Sequence, residues 1–78
     1  MMPKKLDFTK HAADRMVERN VEPSEVEDVI RSPEICTPGK GGKTNLWKTV
    51  GGRRLRVTIL ETSTKIKVIT VVSPDEEA

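Results

Sequence analysis

One hairpin organises this chain, Leu46-Trp47-Lys48-Thr49-Val50-Gly51-Gly52-Arg53-Arg54-Leu55-Arg56-Val57. Apolar and polar residues alternate on both sides of Gly51-Gly52, as in two strands that each bury one face. A two-residue Gly-Gly turn is a strong hairpin signal, because glycine takes the positive φ angles that such a turn requires. The turn places Lys48 opposite Leu55, on the side that is otherwise apolar. The sequence therefore predicts an antiparallel pair with one buried face, interrupted by a lysine.

A second tight turn at Ser63-Thr64 adds a third strand to this pair. In the register that this turn sets, Ile59 lies opposite Val68. Continuing the same register places Thr70 on the apolar side as well. The predicted inner face consists of Leu46, Leu55, Val57, Ile59, Ile66, Val68 and Val72. Lys48 and Thr70 are thus the two polar residues predicted on that face.

Two short helices are predicted before the sheet. Thr9 is a good N-cap for a first helix over residues 10–20, which Asn20 can end in the left-handed conformation. Pro23 opens the second helix, where its missing N–H costs nothing, and Ser32-Pro33 ends it. Glu34-Ile35-Cys36 is a candidate for an additional short strand. The predicted fold is α+β, with two N-terminal helices packed on one face of a three- to four-stranded antiparallel sheet.

Length and composition limit the class of protein. The 78 residues predict a single domain, 1–78, with flexible ends at 1–7 and 74–78. The single cysteine and single histidine offer neither a disulfide framework nor a zinc site, so we expect no metal and no cofactor. The sequence has no apolar run of transmembrane length and no signal-peptide core. We therefore expect a cytoplasmic protein with no membrane partner.

Positive charge is concentrated in the second half of the chain. The net charge is only +2, but residues 40–67 are strongly basic. Lys43, Arg54 and Arg56 are candidate contacts to a polyanion such as RNA, through counterion release. With one Trp, one Phe and no Tyr, stacking on aromatic side chains is hardly available. The alternative is that these charges protect a sheet edge against aggregation.

A stripe of His11, Arg15 and Arg19 lies along the first predicted helix, at four-residue spacing. At 100° per residue the stripe drifts toward the inward side of the helix, so it is predicted at the rim between helix and sheet. An imidazole beside two guanidinium groups is suited to binding phosphate. Two structural alternatives are surface ion pairs, such as Arg15 with Glu18, and a buried polar network that joins helix to sheet.

Two groups of residues carry a family resemblance. The helical group is Phe8-Thr9-x-His11-Ala12-x-x-Arg15-Met16-x-x-Arg19, followed by Val21, Val26, Val29 and Ser32-Pro33. The strand group is Gly52-x-Arg54-Leu55-Arg56-Val57 and Lys67-Val68-Ile69-Thr70-Val71. Together they resemble the bacterial domain of unknown function 4258 family over nearly the whole chain, with Asn20 where the family usually has glycine. The layout of that family is similar to RelE-type and barnase-like toxin ribonucleases, a comparison of fold alone.

The resemblance implies a toxin-like, metal-independent endoribonuclease with RNA as substrate and a cognate antitoxin as partner. In that mechanism His11 is the acid or base. Arg15 and Arg19 bind the phosphate, Lys48 neutralises developing charge and Thr70 orients a non-bridging oxygen. The second proton-transfer group is left open between Glu61 and Lys48.

The alternative function is a non-catalytic RNA- or protein-binding module in which the His/Arg stripe is structural. Such a module predicts an exposed apolar patch around Trp47, Ile69 and Val71 on the outer side of the sheet. The accessibility of His11 separates the two functions, because an enzyme needs that imidazole open to its substrate.

Overall fold

The computed structural model describes residues 4–74 and has an α+β fold. Its elements are β1 (Lys5–Phe8), α1 (Lys10–Glu18), α2 (Pro23–Arg31), β2 (Ile35–Pro38), β3 (Thr44–Val50), β4 (Arg53–Glu61) and β5 (Lys65–Val72), with a 3-10 turn at Lys40–Gly42. The strands form one sheet in the order β1-β5-β4-β3-β2, with β1 parallel to β5 and all other neighbours antiparallel. The prediction of three to four antiparallel strands is therefore corrected to five strands in a mixed sheet.

Strand β1 lies mostly within residues 1–7, the N-terminal stretch that the sequence analysis treated as a lead-in to the first helix. Residues 5–7 were expected in a flexible end, but they pair with residues 65–67 of β5. Leu6 and Phe8 explain why, because both are half-buried and pack against the core. The partner of this strand lies at the other end of the chain, so the local sequence does not indicate the pairing. Of the two expected flexible ends, residues 1–3 and 75–78 lie outside the described residues.

The central hairpin has the predicted register. Lys48 pairs with Leu55 and Val50 with Arg53. Gly51 and Gly52 have φ angles of 61° and 81°, the sign that a twist-compatible two-residue turn requires. The second turn is also confirmed, since the Thr62 N–H donates to the Lys65 carbonyl at 2.8 Å.

A β-bulge in β5 overturns the predicted register beyond Val68. Ile59 pairs with Val68 as predicted, but the register then shifts and Val57 pairs with Val71. Val71 is fully buried, while Thr70 lies opposite Thr58, on the side of the sheet away from the helices. The predicted inward positions of Thr70 and Val72 are therefore wrong. One extra residue in a bulged strand moves every later side chain to the opposite side of the sheet. The two consecutive valines, Val71 and Val72, fit either side equally well, so the sequence does not indicate the bulge.

The bulge is where α1 joins the sheet. The Thr9 N–H donates to the Val68 carbonyl at 3.1 Å. Its Oγ1 lies 3.0 Å from that oxygen and 3.1 Å from the Ile69 carbonyl, and accepts from the Ala12 N–H at 3.2 Å. Thr9 thus caps the helix, as predicted, and fixes it to the irregular part of β5.

Both helices cover the same side of the sheet. Helix α1 packs on β5, whereas α2 packs on β3 and β4. The buried core consists of Ala12, Met16, Val21, Val26, Val29, Leu46, Leu55, Val57, Ile59, Ile66, Val68 and Val71. We call the opposite, helix-free side of β3, β4 and β5 the outer face. Within residues 4–74 no helix is long and apolar enough to span a membrane.

Candidate functional site

His11 is the exposed end of the α1 stripe. It is the second residue of α1, and its side chain makes no hydrogen bond or ion pair with any of the residues 4–74. This position is incompatible with a buried polar network centred on His11. The imidazole is open to a ligand, as the enzymatic interpretation requires.

The two arginines of the stripe are progressively less accessible. The Arg15 side chain is 38% exposed, and its Nη1 lies 2.7 Å from Glu18 Oε1. The Arg19 side chain is 18% exposed and lies 3.4 Å from the same carboxylate oxygen. Exposure falls from His11 to Arg19, as the predicted drift toward the core requires. Glu18 therefore neutralises part of the charge of the stripe.

Lys48 lies beneath α2, away from the stripe on α1. Its side chain is on the helix side of the sheet, as predicted, and is 19% exposed. The Nζ donates to Asp28 Oδ1 at 3.0 Å. Lys48 thus snorkels from an apolar face to an acid at the helix surface. Its charge already has a partner.

Thr70 lies on the outer face, so the sheet separates it from both Lys48 and the stripe. The five predicted catalytic residues consequently occupy three places: the rim of α1, the α2–β3 contact and the outer face. Glu61, one candidate for the second proton-transfer group, is paired with the ammonium of Lys4. The structure does not bring the predicted catalytic set together.

Arg54 and Arg56 both reach the single tryptophan on the outer face. The Arg56 Cζ is 5.5 Å and the Arg54 Cζ 5.9 Å from the centroid of the Trp47 ring. Both distances fall within the range of cation–π contacts. The strand register explains the cluster, because Trp47 pairs directly with Arg56 and Arg54 is diagonal to it.

The outer face is basic along its centre. None of its positions in β3, β4 and β5 is acidic, and the nearest carboxylates lie at its two margins. At the β2 margin Glu34 is 3.3 Å from Arg54 Nη1, and at the β1 margin Asp7 is 3.5 Å from Lys65 Nζ. Arg56 and Lys67 make no ion pair with any described residue.

Lys43, the third predicted substrate contact, follows the 3-10 turn that leads into β3. Its side chain is half-buried and makes no ion pair within residues 4–74.

The expected apolar patch is not present as predicted, because Val71 is buried in the core and Trp47 lies against two guanidinium groups.

Arg53 has a role that the sequence analysis did not identify. Its Nη1 donates to the Arg19 carbonyl at 2.8 Å, and its Nη2 donates to the Asn20 carbonyl at 2.7 Å. These acceptors are at the end of α1, where carbonyl groups lack helical partners. Asn20 itself has a φ of 56°, which confirms the predicted left-handed helix end. Arg53 therefore joins the start of β4 to the end of α1.

The described residues include no group of three or more His, Cys, Asp or Glu side chains that could hold a metal ion. Cys36 is exposed on the edge strand β2.

Comparison with known proteins gives one assignment. A search of curated proteins and a search of solved structures each gave no significant match. A family model described as "Domain of unknown function (DUF4258)" matches residues 8–73, which include both helices and the strands β2 to β5. The chain belongs to this family.

Proposed function

We propose that this chain is an RNA-acting, toxin-like domain that binds RNA on the outer face of its sheet. The observation that carries the proposal is the positive charge of that face: Arg54, Arg56 and Lys67 lie on strands that have no acid on the same side. Cations held on a surface attract phosphates and release counterions when they bind them. The layout of helices on one side and an open sheet on the other supports a RelE-type relationship by fold analogy alone. The same proposal includes a cognate antitoxin protein as the binding partner of this domain.

The edge-protection alternative explains these charges less well. Charges that prevent aggregation are placed on edge strands, where backbone groups are unpaired. Arg56 is on β4 and Lys67 on β5, and both strands have neighbours on each side. Their positions in the middle of the sheet therefore favour binding of a ligand over edge protection.

The proposal is tested by measuring RNA affinity against salt concentration. We expect the double variant Arg56→Gln/Lys67→Gln to weaken binding and to reduce the slope of log K against log salt by about 1.4, which is about 0.7 for each lost phosphate contact. Lys10→Gln/Arg31→Gln is the matched control, since it removes the same charge from exposed positions on the helices. Equal losses in both double variants would contradict a site on the outer face.

Cleavage of RNA without a metal ion is the second candidate function, and the observation that favours it is the exposed imidazole of His11, which has no hydrogen-bond or ion-pair partner among residues 4–74. Of the five predicted catalytic residues, Arg15 and Arg19 are the two that share the α1 rim with it, so these three side chains form the candidate set. Lys48 lies beneath α2 and Thr70 lies on the outer face, so neither takes part in a cleavage step at the α1 rim.

Cleavage is measured with varied single-stranded RNAs in the presence of a chelator. We expect His11→Ala to abolish RNA cleavage. The control Lys48→Met, which changes a charged residue away from the α1 rim, should retain it. If the folded wild-type protein cleaves none of these RNAs, the domain is a binding module. If the wild type and His11→Ala cleave equally, His11 has no catalytic part.

A further inference from the structure

The outer face has one aromatic ring, that of Trp47, and this ring is partly exposed. Trp47 is half-buried in β3, between Ile35 of β2 and Arg56 of β4. Ile35 is 47% exposed, so an accessible apolar side chain borders the ring on the β2 side. Part of the indole is therefore open to solvent at the margin of the basic face.

Arg56 differs from Arg54 in what remains free to bind. Both guanidinium groups lie within 6 Å of the Trp47 ring. Arg54 is held by Glu34 at 3.3 Å and by the Thr49 hydroxyl at 3.4 Å. Arg56 makes no ion pair within residues 4–74, and its Nε has no hydrogen-bond partner there. The guanidinium that is closer to the ring is thus the one without a carboxylate.

We propose that Trp47 and Arg56 bind one unstacked base and an adjoining phosphate of single-stranded RNA, an inference that rests on the RNA binding proposed above. A base in a duplex has neighbours on both faces, whereas a base in a single strand can stack on an aromatic ring. The positive charge beside the ring suits the phosphate that every base carries with it. One aromatic side chain is sufficient to stack one base.

Asn45 supplies a polar group beside this ring. It precedes Trp47 by two residues in β3, so the two side chains share the outer face. The Asn45 Oδ1 accepts a hydrogen bond from the Thr58 hydroxyl at 2.7 Å, while its amide nitrogen has no partner among the described residues. The ring, the guanidinium and an amide donor together form a surface that can contact a base face, a phosphate and a base edge.

Trp47 also provides the measurement, because it is the only tryptophan of the chain. A short oligouridylate or oligoadenylate is titrated into the wild-type protein, and so is an RNA duplex of the same length. We expect the single strands to quench the intrinsic fluorescence at concentrations where the duplex does not. Equal quenching by the duplex, or no change with single strands that demonstrably bind, overturns the proposal.

Variants are compared by the anisotropy of labelled RNA, with folding checked by circular dichroism. We expect Trp47→Leu to weaken single-strand binding about 5- to 150-fold, the range for loss of one stacked base. Trp47→Phe should recover part of that loss. We expect Arg56→Gln to weaken binding more than Arg54→Gln, which removes the same charge from the same face.

These outcomes separate the two proposals. Normal RNA binding by Trp47→Leu overturns the stacking site but leaves RNA binding by the outer face intact. If the folded wild-type protein binds no RNA, both proposals are overturned. Equal effects of Arg54→Gln and Arg56→Gln would refute the assignment of the phosphate contact to Arg56.

Discussion

Arg53, Arg54 and Arg56 are the same residue type in one strand and make three different sets of contacts. Arg53 binds the end of α1, Arg54 binds Glu34, and Arg56 lies against Trp47 with no ion pair to any residue that the structure describes. Alternation along the strand predicted that Arg54 and Arg56 share a face, and the structure confirms it. The cap made by Arg53 could not be predicted, because its acceptors are backbone carbonyls of a helix end more than 30 residues away.

Replacing Arg53 by methionine tests the importance of that cap. We expect Arg53→Met to lower the free energy of unfolding by about 1–3 kcal/mol, because two carbonyl oxygens lose a charged donor. Arg54→Met removes the ion pair with Glu34, a long contact with the Thr49 hydroxyl and a cation–π contact with Trp47, all on the solvent side of the sheet, and should cost about 1 kcal/mol. Urea denaturation of both variants provides the comparison. Equal destabilisation would mean that the carbonyl contacts of Arg53 contribute little.

Lys48 is the predicted catalytic residue whose contacts most clearly suggest another role. Because Asp28 is half-exposed, the ion pair between them is screened by water. We expect Lys48→Met to change the free energy of unfolding by less than about 1 kcal/mol and to leave RNA affinity unchanged. Denaturation and anisotropy measurements test both statements. A tenfold loss of affinity with intact folding would restore Lys48 to the binding site.

At the scale of elements, β5 determines which polar residues reach which side of the sheet. Turn chemistry and alternation predicted both hairpins and the pairing of Ile59 with Val68. They failed beyond the bulge, because either alternate set of side chains can face the core in the segment Ile69-Thr70-Val71-Val72. The bulge coincides with a tertiary contact, because the backbone and side chain of a distant residue, Thr9, both bind carbonyl groups of β5 there. The local sequence around Thr70 does not contain this contact.

The junction between α1 and β5 is tested by changing Thr9. We expect Thr9→Val to lower the free energy of unfolding by about 0.5–2 kcal/mol, because the hydroxyl that caps α1 is lost while the side-chain shape is kept. Thr9→Ser retains the hydroxyl and should retain most of the stability. Thermal and urea denaturation measure the difference. If serine is as destabilising as valine, the methyl group and not the hydrogen bonds fixes this junction.

At the scale of the whole molecule, one side of the sheet is used for folding and the other is left open. Every buried residue of the helices lies against the inner side of β3, β4 and β5 or beside it. The net charge of +2 conceals this division, since acids such as Glu27 and Asp28 lie on the helices while the outer face is basic. The sequence shows that acidic and basic residues are unevenly distributed along the chain. Only the pairing of the strands shows which side of the sheet carries the basic residues.

The location of charge, rather than its total, should therefore determine RNA affinity. Thr70→Lys and Glu27→Gln each raise the net charge by one, the first on the outer face and the second on α2. We expect Thr70→Lys to increase RNA affinity severalfold at low salt and to steepen the slope of log K against log salt by about 0.7. Glu27→Gln should change affinity less than twofold, because the phosphates bind on the opposite side of the sheet and salt screens charges beyond about 10 Å.

Anisotropy titrations of both variants at several salt concentrations decide between these expectations. A matched increase in the two variants would show that RNA responds to net charge and has no preferred side of the molecule. An increase for Glu27→Gln alone would place the contacts on the helix side of the sheet, near α2. Only a gain confined to Thr70→Lys agrees with a sheet whose helix-free side is the binding surface, since the two substitutions differ in position and not in charge.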